Sequence, residues 1–177
     1  SAVAEIAASP MTLEEFLASF SRSKVYRVGG TAMFMTSDPH GVPATMLHHL
    51  KHNETIKKTV LVFSVASMDV PTVDEDERLT HQDLGQGFHR VVARFGFMET
   101  PDVPALLPKL ARFGLVISPA QVSYYLGRET LLPTGTSRLA RWRKRLFIMM
   151  MRNAQSASTF FNLPPNRVVE MGAQIQL

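Results

Sequence analysis

Two apolar strand patterns with a helical pattern between them occupy the first third of the chain, and they restrict its fold more than any other feature. Thr31 to Thr36 reads as a buried strand. Ser37, Asp38, Pro39, His40 and Gly41 end it with residues that cap a turn, fix φ or accept positive φ. Val42 to Asn53 follows as a helix, and Thr59 to Val65 is a β-branched and aromatic run short enough for an interior strand. Strand, helix and strand in that order form a crossover unit, for which the rule is parallel strands and a right-handed connection.

The rest of the chain extends this pattern. Met11 to Ser21 carries Leu13, Phe16, Leu17 and Phe20 at helical spacing, with Thr12 placed as N-cap and Glu15 three residues on, as in a capping box. Val70 to Asp83 turns polar and acidic, with Pro71 opening a loop and Arg78 to Gln82 reading as a short strand. Gly85, Gln86 and Gly87 mark a turn before the alternating strand Phe88 to Phe97, so a hairpin is expected. Asp102 to Phe113 reads as a helix started by Thr100 or Asp102 and closed by Gly114, and Val122 to Leu132 as another strand. Ser137 to about Phe161 gives the longest helical pattern, stopped by Pro164 and Pro165, and Arg167 to Ile175 makes a final strand.

These elements predict an α/β fold, a mixed β-sheet flanked by helices with one β-hairpin, whose strand order the pattern does not supply. At 177 residues, one domain over 24–177 is expected, preceded over 1–23 by a lead-in and the N-terminal helix. The chain contains no cysteine, which excludes disulfides, thiol catalysis and thiolate metal sites. Apolar runs such as Thr59 to Ala66 and Phe147 to Met151 fall short of the roughly 18 residues that a spanning helix needs, so any membrane attachment is expected outside this chain. Its start, SAVAEIAASPM, lacks the basic region and apolar core of a signal peptide. Net charge is +4, with the basic block Arg138, Arg141, Arg143, Lys144 and Arg145 set against an acidic stretch from Asp69 to Asp83.

Several constellations bear on chemistry. His48 and His52 lie four apart on one predicted helix face, yet HxxxH lacks the central glutamate of the metalloprotease motif and has no evident third ligand. Gly29-Gly30 and Gly85-Gln86-Gly87 match neither phosphate-loop fingerprint, and turn geometry accounts for them. Thr36 to Val42 is the better ligand position, because open α/β sheets bind small molecules at strand C-termini beside a helix N-terminus. Thr36, Ser37, Asp38 and Lys51 are the candidate contacts there, for a nucleotide effector. The acids from Asp74 to Asp83 belong to no recognisable catalytic set and read as a solvated loop. Arg128 and Glu129 point to opposite strand faces, where a structural ion pair outranks catalysis. For the block Arg138 to Arg145 three partners stay open: nucleic acid, which asks for a larger basic face, an anionic membrane surface, or another subunit. A solvated helix face is the plain alternative.

Four blocks carry a family likeness: GTAMFMTSDPHGVPATMLHHLKHN (Gly30 to Asn53), GFMETPDVP (Gly96 to Pro104), YYLGRETLLP (Tyr124 to Pro133) and FFNLPPNRVVEMGAQIQL (Phe160 to Leu177). In order and spacing they resemble the C-terminal region of Kup-type potassium transporters, the Kup/HAK/KT family, from about Phe16 onward. The resemblance implies proton-coupled potassium uptake by a membrane domain of the same polypeptide, absent here. This chain would be a module on the cytoplasmic side of the bacterial inner membrane, neither catalytic nor ion-conducting. No cofactor is expected in this domain, potassium and protons being handled by the membrane domain, and no nucleic acid partner is expected because neither a larger basic face nor a known nucleic-acid module appears. The resemblance favours the membrane surface for the block Arg138 to Arg145, and a cyclic dinucleotide is the effector worth testing. Association with a second copy is expected, through Phe147, Met150 or Met151 on the long helix.

Overall fold

The structure, a computed structural model, describes residues 11–127 and 157–172. Helix α1 (Leu13–Phe20) leads into strand β1 (Tyr26–Met35), α2 (Ala44–Asn53) and β2 (Thr55–Met68). A helical turn α3 (Glu75–Arg78) precedes the hairpin β3 (Leu79–Gly85) and β4 (Phe88–Gly96). Then come α4 (Val103–Leu106), a 3₁₀ segment (Leu107–Phe113), β5 (Val122–Gly127), the helical turn α5 (Ala157–Phe160) and β6 (Val168–Met171). One six-stranded sheet results, in the order β3-β4-β2-β1-β5-β6. Among the described residues only β3 runs antiparallel, against β4, and the other neighbours are parallel.

Alternation along the strands sends side chains to two faces, each covered by helices. Ala32, Phe34, Val60, Val62, Phe88 and Tyr125 pack under α1 and α2 with Leu13, Phe16, Leu17, Phe20, Met46 and Leu50. On the other face, Met33, Met35, Leu61, Phe63, Val91 and Tyr124 pack under α4, the 3₁₀ segment and α5. Both faces of the central strands are therefore buried, which explains their continuous apolar runs. The chain moves from β1 to β2 and β4 with α2 on one face, then returns to the far side of β1 with α4 on the other. Right-handed crossovers in both directions require this change of face.

Several expected boundaries move for identifiable reasons. The strand expected at Thr31 begins at Tyr26, because Tyr26 to Gly30 is mostly exposed and lacks the apolar run that marks a buried strand. Val42 and Pro43 stay outside α2, with Pro43 extended (ψ 129) as its N-cap. The strand at Thr59 starts at Thr55, its first residues including Lys57 and Lys58, which break the apolar run. Arg78 closes α3 rather than opening β3, which runs on to Gly85, and β4 stops at Gly96. The helix expected over Asp102 to Phe113 keeps only one α-turn, since Pro108 has no N–H to continue the ladder and the chain tightens to 3₁₀. Its capping follows expectation, with Asp102 accepting from the Ala105 N–H and Gly114 left-handed at φ 80. The final strand is Val168–Met171, with Arg167 inside a 3₁₀ turn. Residues 128–156 and 173–177, which hold the end of the fifth predicted strand and most of the long helix, lie outside the described residues.

Candidate functional site

Strand β1 is where connections leave for opposite faces of the sheet, and its neighbour β5 is the first strand on the return side. In open α/β sheets this switch point opens a crevice beyond the strand C-termini. The loop that follows β1 is tightly built. The Thr36 N–H donates to the Phe63 carbonyl at 2.9 Å, continuing the β1–β2 ladder. The Thr36 hydroxyl donates to the Asp38 carbonyl and accepts from the Asp38 N–H, both at 3.2 Å. Asp38 Oδ1 accepts from the His40 N–H at 2.9 Å, an Asx turn. Gly41 packs beneath it, and a Cβ there would stand 2.6 Å from Asp38 Oδ2, so the Asp38 side chain would have to shift to admit one. The loop thus brings Thr36, Ser37 and Asp38 together. Lys51 sits in the last turn of α2, at the opposite edge of the sheet.

Two buried hydroxyls at this end were not singled out from the sequence. Thr45, in the first turn of α2, is 3% exposed, and Ser64 on β2 is 4% exposed. Neither hydroxyl has a hydrogen-bond partner among the described residues. Ser64 follows Phe63, which pairs with Met35, so Thr36 and Ser64 lie side by side on the face that α2 covers. Pro43 gives α2 no side-chain cap, so its first turn has no acceptor of its own there. A serine inside the apolar run VLVFSVA was the available signal. Replacing Thr45 with valine and Ser64 with alanine in the ligand-free chain should leave stability unchanged or raise it by about 1 kcal/mol, because an unpaired buried hydroxyl is costly. Urea unfolding checks this, and a loss above 1 kcal/mol would mean that the hydroxyls already have partners.

Helix α1 is fastened to this loop. Its capping box is complete, with Thr12 Oγ1 accepting from the Glu15 N–H and Glu15 Oε2 from the Thr12 N–H, both at 3.2 Å. The Leu13 N–H donates to the His40 carbonyl at 2.9 Å, and Thr12 forms a bridge with Gly41. Arg90, 7% exposed on β4, ties the assembly together. Its guanidinium donates to the Pro39 carbonyl (2.7 Å), Gln82 Oε1 (2.5 Å) and Glu14 Oε1 (2.7 Å). Its hydrogen bond holds the Glu14 carboxyl below the usual glutamate value.

A second buried arginine organises the loops after β2 and β4. Arg78 Nη2 donates to Glu99 Oε1 at 2.5 Å and to the Val73 carbonyl at 2.9 Å. Nη1 donates to the Arg94 carbonyl, and Nε to Glu75 Oε1. Glu99 also accepts from the N–H groups of Val73 and Gly96. A Cβ on Gly96 would stand 2.3 Å from the Pro71 carbonyl oxygen, so only glycine fits. The block beginning GFMET is therefore a structural clasp. Glu75 is likewise engaged, reaching Lys109 as well as Arg78, so part of the acidic stretch is fixed rather than freely solvated.

A family model described as the K+ potassium transporter C-terminal domain matches residues 29–177. The chain belongs to this family. Among curated relatives, the probable potassium transport system protein Kup of Anaeromyxobacter sp. (strain K) is 56% identical over 172 residues, covering 94% of this chain and 26% of that protein. The probable potassium transport system protein Kup 1 of Syntrophobacter fumaroxidans is 49% identical, covering 97% of the chain and 26% of its own length. The Kup protein of Myxococcus xanthus is 45% identical over 98% of the chain and 27% of its own length. The chain spans about a quarter of the length of the curated relatives it matches. No solved structure matches it.

Within this transporter C-terminal domain, the remaining candidates fall as follows. No helix among the described residues is long and apolar enough to cross a membrane. The His48 and His52 rings stack on the exposed face of α2 with centroids 6.4 Å apart, and no group of three or more metal-ligating side chains forms among the described residues. His49 turns inward against Phe34 and Tyr125, and burial lowers its pKa. Gly85, Gln86 and Gly87 form the β3–β4 turn, all with positive φ. Arg128, Glu129, the block Arg138 to Arg145, and Phe147, Met150 and Met151 lie outside the described residues.

Proposed function

We propose that this chain is a regulatory and assembly domain of a proton-coupled potassium uptake transporter, carried on the cytoplasmic side of the membrane and pairing with its counterpart in a second subunit. One observation carries the reading: the chain matches a transporter C-terminal domain model over residues 29–177 while amounting to 26% of relatives named for potassium transport. Ion selection needs a closed pathway lined by oxygen ligands or charged rings, so permeation and proton coupling fall to the rest of the polypeptide. Helix α1 is the element through which the domain communicates with what precedes it, because it is packed into the core and fastened to the loop after β1. Deleting residues 11–177 from the whole transporter should leave it in the membrane with altered potassium uptake and less dimer by cross-linking. Unchanged uptake at every external potassium concentration would overturn the regulatory role.

A second reading is supported by Thr45 and Ser64. In it the switch point holds a nucleotide effector, an adenine nucleotide or a cyclic dinucleotide, against Thr36, Ser37, Asp38 and the first turn of α2. Binding would shift the loop between two positions and move α1 with it. Calorimetry with these nucleotides should give saturable heat that the Thr45→Val change diminishes. No heat and no thermal shift with any of them would sink this reading.

A further inference from the structure

The edge formed by the starting ends of the strands, opposite the switch point, has the character of a contact surface. There β1 and β2 begin, with Tyr26 beside Thr55 in register, and α1 and α2 end. The Tyr26 N–H donates to the Glu54 carbonyl at the end of α2, drawing the four ends together. They bring Arg22, Lys24, Lys51, Lys57 and Lys58 to one edge, all exposed except the half-buried Lys57. Among the described residues, the ion pairs involve Arg78, Arg90 and Lys109 as cations, so none of these five is neutralised by a carboxylate. Glu54 lies among them, and Asp83, next to the β3–β4 turn, lies toward the same end two strands away from β2. The acids Glu14, Glu15, Asp38, Asp69, Asp74 and Glu99 lie at the other edge, where α1 begins and β1, β2 and β4 end. Charge is thus separated along the strand direction. Amid the cations stand Tyr26, 75% exposed, and Val28, 40% exposed.

We propose that this edge docks on an anionic lipid headgroup layer. The cations come from the ends of four elements and spread over a face, which suits an array of phosphates rather than one bound anion. Four of the five are lysines, compact charges without the fork that grips a single phosphate or carboxylate. An exposed tyrosine and valine among lysines match the headgroup boundary, where aromatic rings and snorkelling lysines settle together. The proposal is independent of the nucleotide reading of the switch point.

The test is co-sedimentation of the 177-residue chain with vesicles of mixed phosphatidylglycerol and phosphatidylcholine, and with phosphatidylcholine alone. Binding is expected only to the anionic vesicles and should fade as salt rises. A variant with Lys24, Lys51, Lys57 and Lys58 each changed to glutamine should bind roughly six-hundredfold more weakly, since each of the four cations is worth about a fivefold change. Tyr26→Ser should weaken binding further without altering its salt dependence. Arg141→Gln combined with Arg143→Gln and Lys144→Gln serves as the comparison and should weaken binding less. Circular dichroism confirms that each variant is folded. Equal binding to both vesicle types, full binding by the quadruple variant, or complete loss in the comparison variant would overturn the proposal. So would salt-sensitive self-association, or binding to a DNA duplex or inorganic phosphate, that the quadruple change abolishes while vesicle binding persists.

Discussion

Changing Arg78 to methionine is expected to lower the stability of the domain by about 3 kcal/mol, the largest loss foreseen for a single side chain here. Arg78 is 6% exposed and holds four partners that share no strand: Glu99, Glu75 and the carbonyls of Val73 and Arg94. Methionine fills much of the volume but donates nothing, so Glu99 stays largely buried without its cation and two carbonyls lose a donor. The Val73 and Gly96 amides still reach Glu99, which keeps the loss toward the lower end of the range for broken buried pairs. Arg78→Lys should recover less than half, because an ammonium cannot span the same fork. Acid sensitivity provides a second readout. The hydrogen bond from Arg78 holds the Glu99 carboxyl below the ordinary value of 4.5, so its contribution is complete above that pH and fades as pH falls through the lower folded value. Glu99→Gln should flatten that part of the acid limb. Urea midpoints measured from pH 7 downward test both statements, and a loss under 1 kcal/mol for Arg78→Met would refute the clasp.

The covered strands were legible because burial on both faces demands apolar residues at every position, as in Met33 to Met35 and Val60 to Phe63. The same rule hid Tyr26 to Gly30, which is strand by pairing yet mostly exposed. Apolar spacing at Val103, Leu106, Leu107 and Leu110 fits an α-helix, and only the missing N–H of Pro108 turns the second half into 3₁₀. The clasp was out of reach for a different reason: Arg78 and Glu99 are 21 residues apart, and nothing local marks a partner at that distance. The strand, turn and helix around Thr36 located the loop, but identifying it as a switch point needed the strand order. Thr45 and Ser64 matter because their hydroxyls lack partners among the described residues, a property that exists only in the packed chain.

Changing Arg90 to methionine is expected to cost about 2–3 kcal/mol, and its location makes the loss informative. The three acceptors of Arg90 are Pro39 in the switch-point loop, Gln82 on the edge strand β3 and Glu14 on α1. A purely global role would lower the protection of every slow amide together. The geometry predicts a graded response instead, since Leu13, Phe16, Leu17 and Phe20 still bury α1 while its polar fastening to the loop is cut. Amides of α1 and of Asp38, His40 and Gly41 should therefore exchange faster than those of β2, which pairs on both sides with β1 and β4. Glu14→Gln removes only one strand of the fastening. Glu14 is half exposed, so its loss should stay below about 1 kcal/mol while loosening the same amides. Uniform exchange across β2 and α1 in Arg90→Met would show that the loop and α1 move only with the whole domain, and α1 would then have no separate mobility through which to signal.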